Sequence, residues 1–196
     1  DSLTNFLGKD VHKYIGQNLY VLGKPEQLRF DYEGFILDYQ YEFDLDQRLK
    51  DIYSRTKRNN VYKCDSTKHC FRTKYEDLEG SYFLVKNVFD HPKNKGEEYF
   101  LELEEKETKD KVYYEYDSNN FLSVFPFLVV GFYEKEKKRL IGKQFVLTDR
   151  LLKVSSGKGL DLTTREPITI ITGEEWECID LTIEEYYYSL SLIIEN

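Results

Sequence analysis

The sequence predicts a mainly β fold, built of closely packed tandem small β-modules with one short helix. Three observations carry that prediction. Aromatic residues make up 16% of the 196-residue chain, with 17 Tyr and 13 Phe, and Ala is absent. Good helix fillers are therefore scarce, while side chains that suit a half-buried pleated surface abound. Short apolar runs bounded by Gly, Pro, Asn and Asp recur along the chain. The third observation is a local pattern that occurs three times.

In that pattern a large apolar residue stands two before a Gly, and three apolar residues begin three after it. It is read at Tyr14-Ile15-Gly16-Gln17-Asn18-Leu19-Tyr20-Val21, at Leu78-Glu79-Gly80-Ser81-Tyr82-Phe83-Leu84-Val85, and at Leu140-Ile141-Gly142-Lys143-Gln144-Phe145-Val146-Leu147. The glycines lie 64 and 62 residues apart, the spacing of an internal repeat about one small domain long. Gly supplies a backbone angle that a side chain would forbid, and the following run enters a strand. The modules are accordingly placed at 1–75, 76–138 and 139–196, the first with a helical insertion. Both cuts adjoin charged stretches, Arg72 to Asp77 and the linker Lys135 to Arg139.

Between the glycines, Phe30 to Tyr39 reads as strand, with Gly34 a bulge or turn. Asp44 as N-cap, Gln47 three later, and Leu45, Leu49, Ile52 and Tyr53 at helical spacing predict the helix, which Asn59-Asn60 stops. Val61 to Cys64 is a short strand. Tyr99 to Leu103 and Val112 to Tyr116 flank the charged stretch Glu104 to Lys111 and predict a hairpin. Phe121 to Tyr133 reads as a central strand in which Pro126 demands a bulge or break. Ile168 to Thr172 and Trp176 to Leu181 form a pair around Gly173-Glu174-Glu175, and Tyr187 to Ile194 is the last strand. Thr182-Ile183-Glu184-Glu185 fits a capping box, but strand-like residues follow, leaving room for one turn at most.

A net charge of −8 disfavours a nucleic-acid partner and an electrostatic hold on anionic lipid. No run approaches the roughly 18 to 20 apolar residues that span a bilayer. The longest apolar stretch, Leu122 to Phe132, contains Ser123, Pro126 and Gly131, so no transmembrane segment is expected. The sequence begins at Asp1 and lacks Met. Either a leader has been removed or the sequence has been trimmed, and a secretory or lipid-anchoring signal would lie in the missing piece.

Chemistry-bearing residues are sparse. Cys64 and Cys70 close a short polar loop; a disulfide is expected there in an oxidising compartment, a pair of free thiols otherwise. His69 neighbours Cys70, but adjacent strand residues point to opposite faces, which weakens a thiol–imidazole pair. Cys64, His69 and Cys70 fall short of the four ligands of structural zinc. Ser155-Ser156-Gly157-Lys158-Gly159 lacks the spacing of a phosphate loop. Carboxylates are too abundant for any one pair to stand out. No catalytic residue, metal or cofactor is therefore assigned. The aromatics suggest binding instead. Trp176 alternates with Cys178 and Asp180 on one face, and Tyr186, Tyr187 and Tyr188 must occupy both faces if extended. Trp176, Tyr186, Tyr188 and Tyr114 are the candidate contact residues, with core packing the alternative for each.

The Gly-x-x-aromatic-hydrophobic opening resembles the first strand of small Src-homology-3-like (SH3-like) β-barrels of bacterial envelope proteins. The Tyr-, Lys- and Asp-rich composition, with Trp176-Glu177-Cys178-Ile179-Asp180-Leu181 near the end, is similar to uncharacterised exported proteins of Bacteroidetes. The resemblance implies tandem SH3-like β-barrel modules and carries over no catalytic position. It implies a non-catalytic recognition or scaffolding role outside the cytoplasm, in the periplasm or at the cell surface, toward a peptide, glycan or envelope component. Two alternatives stand beside it: a hydrolase with a carboxylate pair in a cleft between modules, and an intracellular protein-interaction module.

Overall fold

The structure, a computed structural model, describes residues 4–37, 72–92, 94–119, 125–146, 158–160, 167–169, 171–184 and 189–195. The helix expected after Asp44, the strand Val61 to Cys64, and Cys64, Cys70, Tyr186 and Tyr188 lie outside these residues. The protein is mainly β, its sheets are antiparallel, and among the described residues none closes into a barrel. The chain forms two compact units, Asp1–Glu134 with Glu185–Tyr188, and Lys135–Glu184 with Ser189–Asn196.

Unit 1 opens with a 3-10 helix, Gly8–Tyr14, followed by β1 (Asn18–Val21) and a second 3-10 turn, Glu26–Leu28. Next come β2 (Asp31–Glu33) and β3 (Phe35–Ile36), then β4 (Arg72–Lys74) and a single helical turn, α1 (Tyr75–Leu78). The long strands β5 (Tyr82–Asp90), β6 (Glu98–Glu105) and β7 (Lys111–Asp117) follow, and β8 (Phe127–Val129) completes the unit. The main sheet runs β3-β7-β6-β5-β1-β8, while β2 pairs with β4 apart from it. Gly34, at φ +83°, is where the chain leaves the small sheet for the large one; a Cβ there would meet the Tyr114 ring at 3.2 Å. The run read as strand from Phe30 is thus divided at Gly34, where a bulge or turn was expected.

Alternation along the strands builds the core. Leu19 and Val21, Phe83 and Val85, Leu101 and Leu103, and Val112, Tyr114 and Tyr116 all turn inward and are buried. Phe127 sits among Phe35, Tyr114 and Phe125 at ring separations of 5.5, 5.0 and 5.3 Å. Each such pair contributes about 0.5–1.5 kcal/mol beyond the area it buries. The outer edge of β8 is closed by a side chain: Asn5 accepts from Val129 N–H at 2.8 Å and donates to the Phe127 carbonyl at 2.9 Å. The amide thereby serves the two backbone groups a further strand would have served.

From Val130 the chain is helical to Leu140 (α2), passing from unit 1 to unit 2 after Glu134. This corrects two expectations. The strand predicted over Phe121 to Tyr133 is confined, among described residues, to β8. The charged linker Lys135 to Arg139 is helix, because Glu and Lys are good helix formers and Glu136 pairs with Arg139 one turn on. Unit 2 has β9 (Gln144–Val146), the pair β10 (Lys158–Leu160) and β11 (Pro167–Thr169), then β12 (Glu175–Glu184) and β13 (Ser189–Glu195). Its main sheet runs β13-β12-β9. Among the described residues the pair expected around Gly173 is not seen: β11 pairs with β10, and β12 with β9 and β13. Thr182 to Glu184 continue β12 without a helical turn.

The repeated glycines occupy matching places. Gly16, Gly80 and Gly142 have φ of +81°, +72° and +75°. In each case the next residue donates its N–H to the carbonyl two before the glycine: Gln17 to Tyr14 at 2.8 Å, Ser81 to Leu78 at 3.0 Å, Lys143 to Leu140 at 3.1 Å. With Ile15 at φ −55°, ψ 127° and Glu79 at φ −50°, ψ 131°, the first two are type II turns, which require positive φ at the glycine. Each glycine N–H then donates across the sheet, Gly16 to Val85, Gly80 to Val21 and Gly142 to Cys178, at 2.9, 3.2 and 2.8 Å. Gly173, at φ +90°, is a fourth case, with Glu174 N–H donating to Ile171 at 3.4 Å.

The strands so opened pair two and two. The residue three past each glycine stands opposite its equivalent: Leu19 opposite Phe83 in unit 1, and Phe145 opposite Trp176 in unit 2. The register then slips at Lys86 in β5 and at Ile179 in β12, the same distance past their glycines. After the slip Asn87 accepts from Val88 N–H at 2.9 Å, as Asp180 does from Leu181 at 2.8 Å. The module boundary read at residue 75 falls between β4 and α1, and β1 and β5 on either side of it share one sheet and one core.

Candidate functional site

The face of the main sheet turned away from the core of unit 1 differs from end to end. At the β3–β7 end Ile36, Phe100 and Tyr113 are buried, with Phe89 packed beside them. His91 belongs here too, its ring 5.3 Å from Phe100 and its Nδ1 accepting from Asn94 N–H at 3.2 Å. At the β1–β5 end aromatic residues meet solvent. Tyr20 and Tyr82 stand directly opposite in register with ring centres 4.9 Å apart, and Tyr82 is 44% exposed. Lys106 places its ammonium 5.7 Å from the Tyr82 ring, and its backbone N–H donates to the Tyr82 carbonyl at 2.9 Å. Burial, then Tyr82, then Glu79 push the Tyr20 hydroxyl above its ordinary pKa, so it stays a neutral donor and acceptor.

Beyond Tyr82 the charges are matched. Lys86 reaches Glu104 at 3.7 Å and Lys111 reaches Glu102 at 3.2 Å. Hydrogen bonds to Tyr113 and then Glu102 hold the Lys111 ammonium above its usual range. The open end is therefore two aromatic rings beside the Lys86–Glu104 pair of β5 and β6, whereas Lys111 lies 5.2 Å over Tyr113 of the buried end.

A second cluster sits beside the small sheet. Tyr32 and Tyr75 stack at 5.5 Å and 10°. Lys24 lies 4.6 Å over the Tyr32 ring and Arg29 lies 5.9 Å from Tyr75. The Tyr75 hydroxyl donates to Glu79, and Tyr32 donates to the Leu22 carbonyl at 2.6 Å. This column of cation, two rings and cation fixes the 3-10 turn at Glu26–Leu28 against α1, and leaves Leu28 and Phe30 exposed at the turn.

The contact residues expected from the sequence fall differently. Tyr114 is 8% exposed, wedged among Phe35, Phe125 and Phe127, because position 114 lies on the inward phase of β7. Its ring packs the core. Trp176 is half-buried in β12, and its indole N–H is buried without a hydrogen-bond partner among the described residues. Trp176, Cys178 and Leu181 share a face, whereas the slip at Ile179 carries Asp180 to the other, where it meets Lys137 at 2.9 Å. Missed altogether was Tyr20–Tyr82, although both residues sat inside the repeated pattern. No family model, curated protein or solved structure matches this chain.

The carboxyls of Glu136 and Asp180 are held below the usual range by Arg139 and Lys137, the opposite of what a general acid needs. Burial pushes the Cys178 thiol up, away from the reactive thiolate. Among the described residues no group of His, Cys, Asp and Glu is placed to hold a metal ion, and no helix is long and apolar enough to cross a membrane.

Proposed function

We propose that the chain is a non-catalytic binding or scaffolding protein of the extracytoplasmic space, built from SH3-like modules, that recognises a peptide, glycan or envelope component. The observation that carries this reading is the Tyr20–Tyr82 pair, two rings opposed across β1 and β5 at a solvent-facing end of the sheet with Lys106 over one of them. Rigid aromatic faces supply contact area at low entropic cost, and their hydroxyls orient a ligand. What supports the modular part is the matching register of the two glycine-launched strand pairs.

The test is a titration of the full chain, with the Tyr20 and Tyr82 ring signals followed by NMR, against soluble peptidoglycan fragments and a panel of extended peptides. Saturable shifts confined to these rings and their neighbours are expected, lost in Tyr82→Ser while the melting temperature holds. Equal binding by wild type and Tyr82→Ser, or no response from any probe, would end the proposal.

A further inference from the structure

Through the shared register, Leu190, Leu192 and Ile194 of β13 are the counterparts of Tyr99, Leu101 and Leu103 of β6. The residues of β6 are sealed; those of β13 are not. Leu101 is 0% exposed and Leu192 is 42% exposed. The two strands also differ in their neighbours. Along the far side of β6 lies β7, whereas among the described residues β13 is the edge of its sheet.

Charge marks the same edge. Glu104 of β6 stands opposite Lys111 of β7, with Lys86 at 3.7 Å. Its counterpart in β13 is Glu195, which stands opposite Glu177 of β12. Like charges directly across a strand pair repel, and a cation beside them would reverse the sign.

We infer that the edge of β13, unpaired among the described residues, accepts an extended segment of a partner protein, one that alternates bulky apolar with polar residues and sets a Lys or Arg beside Glu195. Strand β7 shows the chemistry required: Val112, Tyr114 and Tyr116 turn inward, and Lys111 stands opposite Glu104 in register, its ammonium pairing with Glu102 one residue along. Backbone hydrogen bonds to the edge supply affinity, and the alternating side chains cover Leu192. This site lies in unit 2 and stands or falls separately from the Tyr20–Tyr82 face.

The experiment titrates the full chain with a synthetic peptide of residues 110–118 and follows amide exchange in β6 and β13. Saturable slowing over Leu190 to Glu195, with β6 unchanged, is expected. The peptide with Lys111→Glu should bind about fivefold more weakly, and Glu195→Lys in the chain should restore it, a reciprocity that a folding defect cannot mimic. No slowing at millimolar peptide overturns the inference. So does slowing confined to β6, which would mean that the peptide displaces β7. Protection of β13 that grows with protein concentration before any peptide is added would make a second copy the occupant and overturn the partner assignment.

Discussion

Leu19 and Phe83 face each other across β1 and β5, each three residues past a glycine in the left-handed region and each wholly buried. The two openings are thus related by a local twofold about this pair. Gly16 N–H donates to the carbonyl of Val85, five residues past Gly80, and Gly80 N–H donates to that of Val21, five past Gly16. Reciprocity of this kind makes the two turns one structural unit: neither strand can shift register without breaking the cross-strand bonds of both glycines.

That coupling gives the first prediction. Gly80→Ala should destabilise unit 1 by about 1–2 kcal/mol, since a side chain at positive φ is strained whatever the space around it. Gly80→Asn should cost less, because Asn tolerates the left-handed region. Gly16 should behave alike. Urea unfolding of the four variants measures this; equal losses for Ala and Asn would mean that the backbone angle is not the cause.

A second prediction concerns the aromatic core. Phe127 is fully buried and meets Phe35, Tyr114 and Phe125 within 5.5 Å. Phe127→Ala should cost about 3–5 kcal/mol, and Phe127→Leu clearly less, because the smaller cavity leaves more contacts in place. Denaturant midpoints at constant slope would show it. A loss under 1 kcal/mol for Ala would mean that the cluster collapses to fill the gap.

Much of this arrangement was legible in the sequence. The second glycine pattern opened β5, the runs Tyr99 to Leu103 and Val112 to Tyr116 placed β6 and β7, and the hairpin around Glu104 to Lys111 formed as read. The glycine pattern marked three of the four openings. Gly173 escaped because β12 alternates: Glu177 faces solvent between Trp176 and Cys178, so no unbroken apolar triad follows that glycine. Partner choice was not legible. Local residues launch a strand, but which strand lies beside it depends on long-range burial, so β12 found β9 and β13 rather than the adjacent β11. The same limit hid the surface. Tyr114 and Tyr82 look alike in sequence, yet one lies on the inward phase of its strand and the other on the outward.

Alkali should reveal the buried tyrosines. Burial lifts Tyr116 to about 12, and burial with the hydrogen bond to Glu79 lifts Tyr75 to about 12 as well. Tyr14 is raised further still, by burial first and then by Tyr116. The neutral phenol is favoured in the folded state, so this stability is fully present below the unfolded pKa near 10 and is lost as pH rises through the folded value. Absorbance at phenolate wavelengths should rise in two phases, exposed tyrosines first and the buried set together with unfolding. A single phase centred near 10 with the fold intact would contradict the burial.

The edge of β8 offers a third structural test. Asn5→Leu removes both bonds to Val129 and Phe127, leaving a backbone donor and acceptor unserved. A cost of about 1–3 kcal/mol is expected, with exchange of the Val129 amide accelerated before that of β5 or β6. Unchanged protection at Val129 would show that another group takes over.

Thr73 should respond in the opposite direction. Its side chain is 1% exposed in β4, opposite Tyr32, and its hydroxyl has no hydrogen-bond partner among the described residues. Burying that hydroxyl forfeits its bonds to water and returns nothing, a penalty of about 1–3 kcal/mol. Val has the same shape, suits a strand and carries no polar atom to desolvate. Thr73→Val should therefore stabilise unit 1 by about 1 kcal/mol, raising the urea midpoint, while Thr73→Ala, which opens a cavity, should not. If Val destabilises, the hydroxyl has a partner after all, and an ordered water is the first place to look.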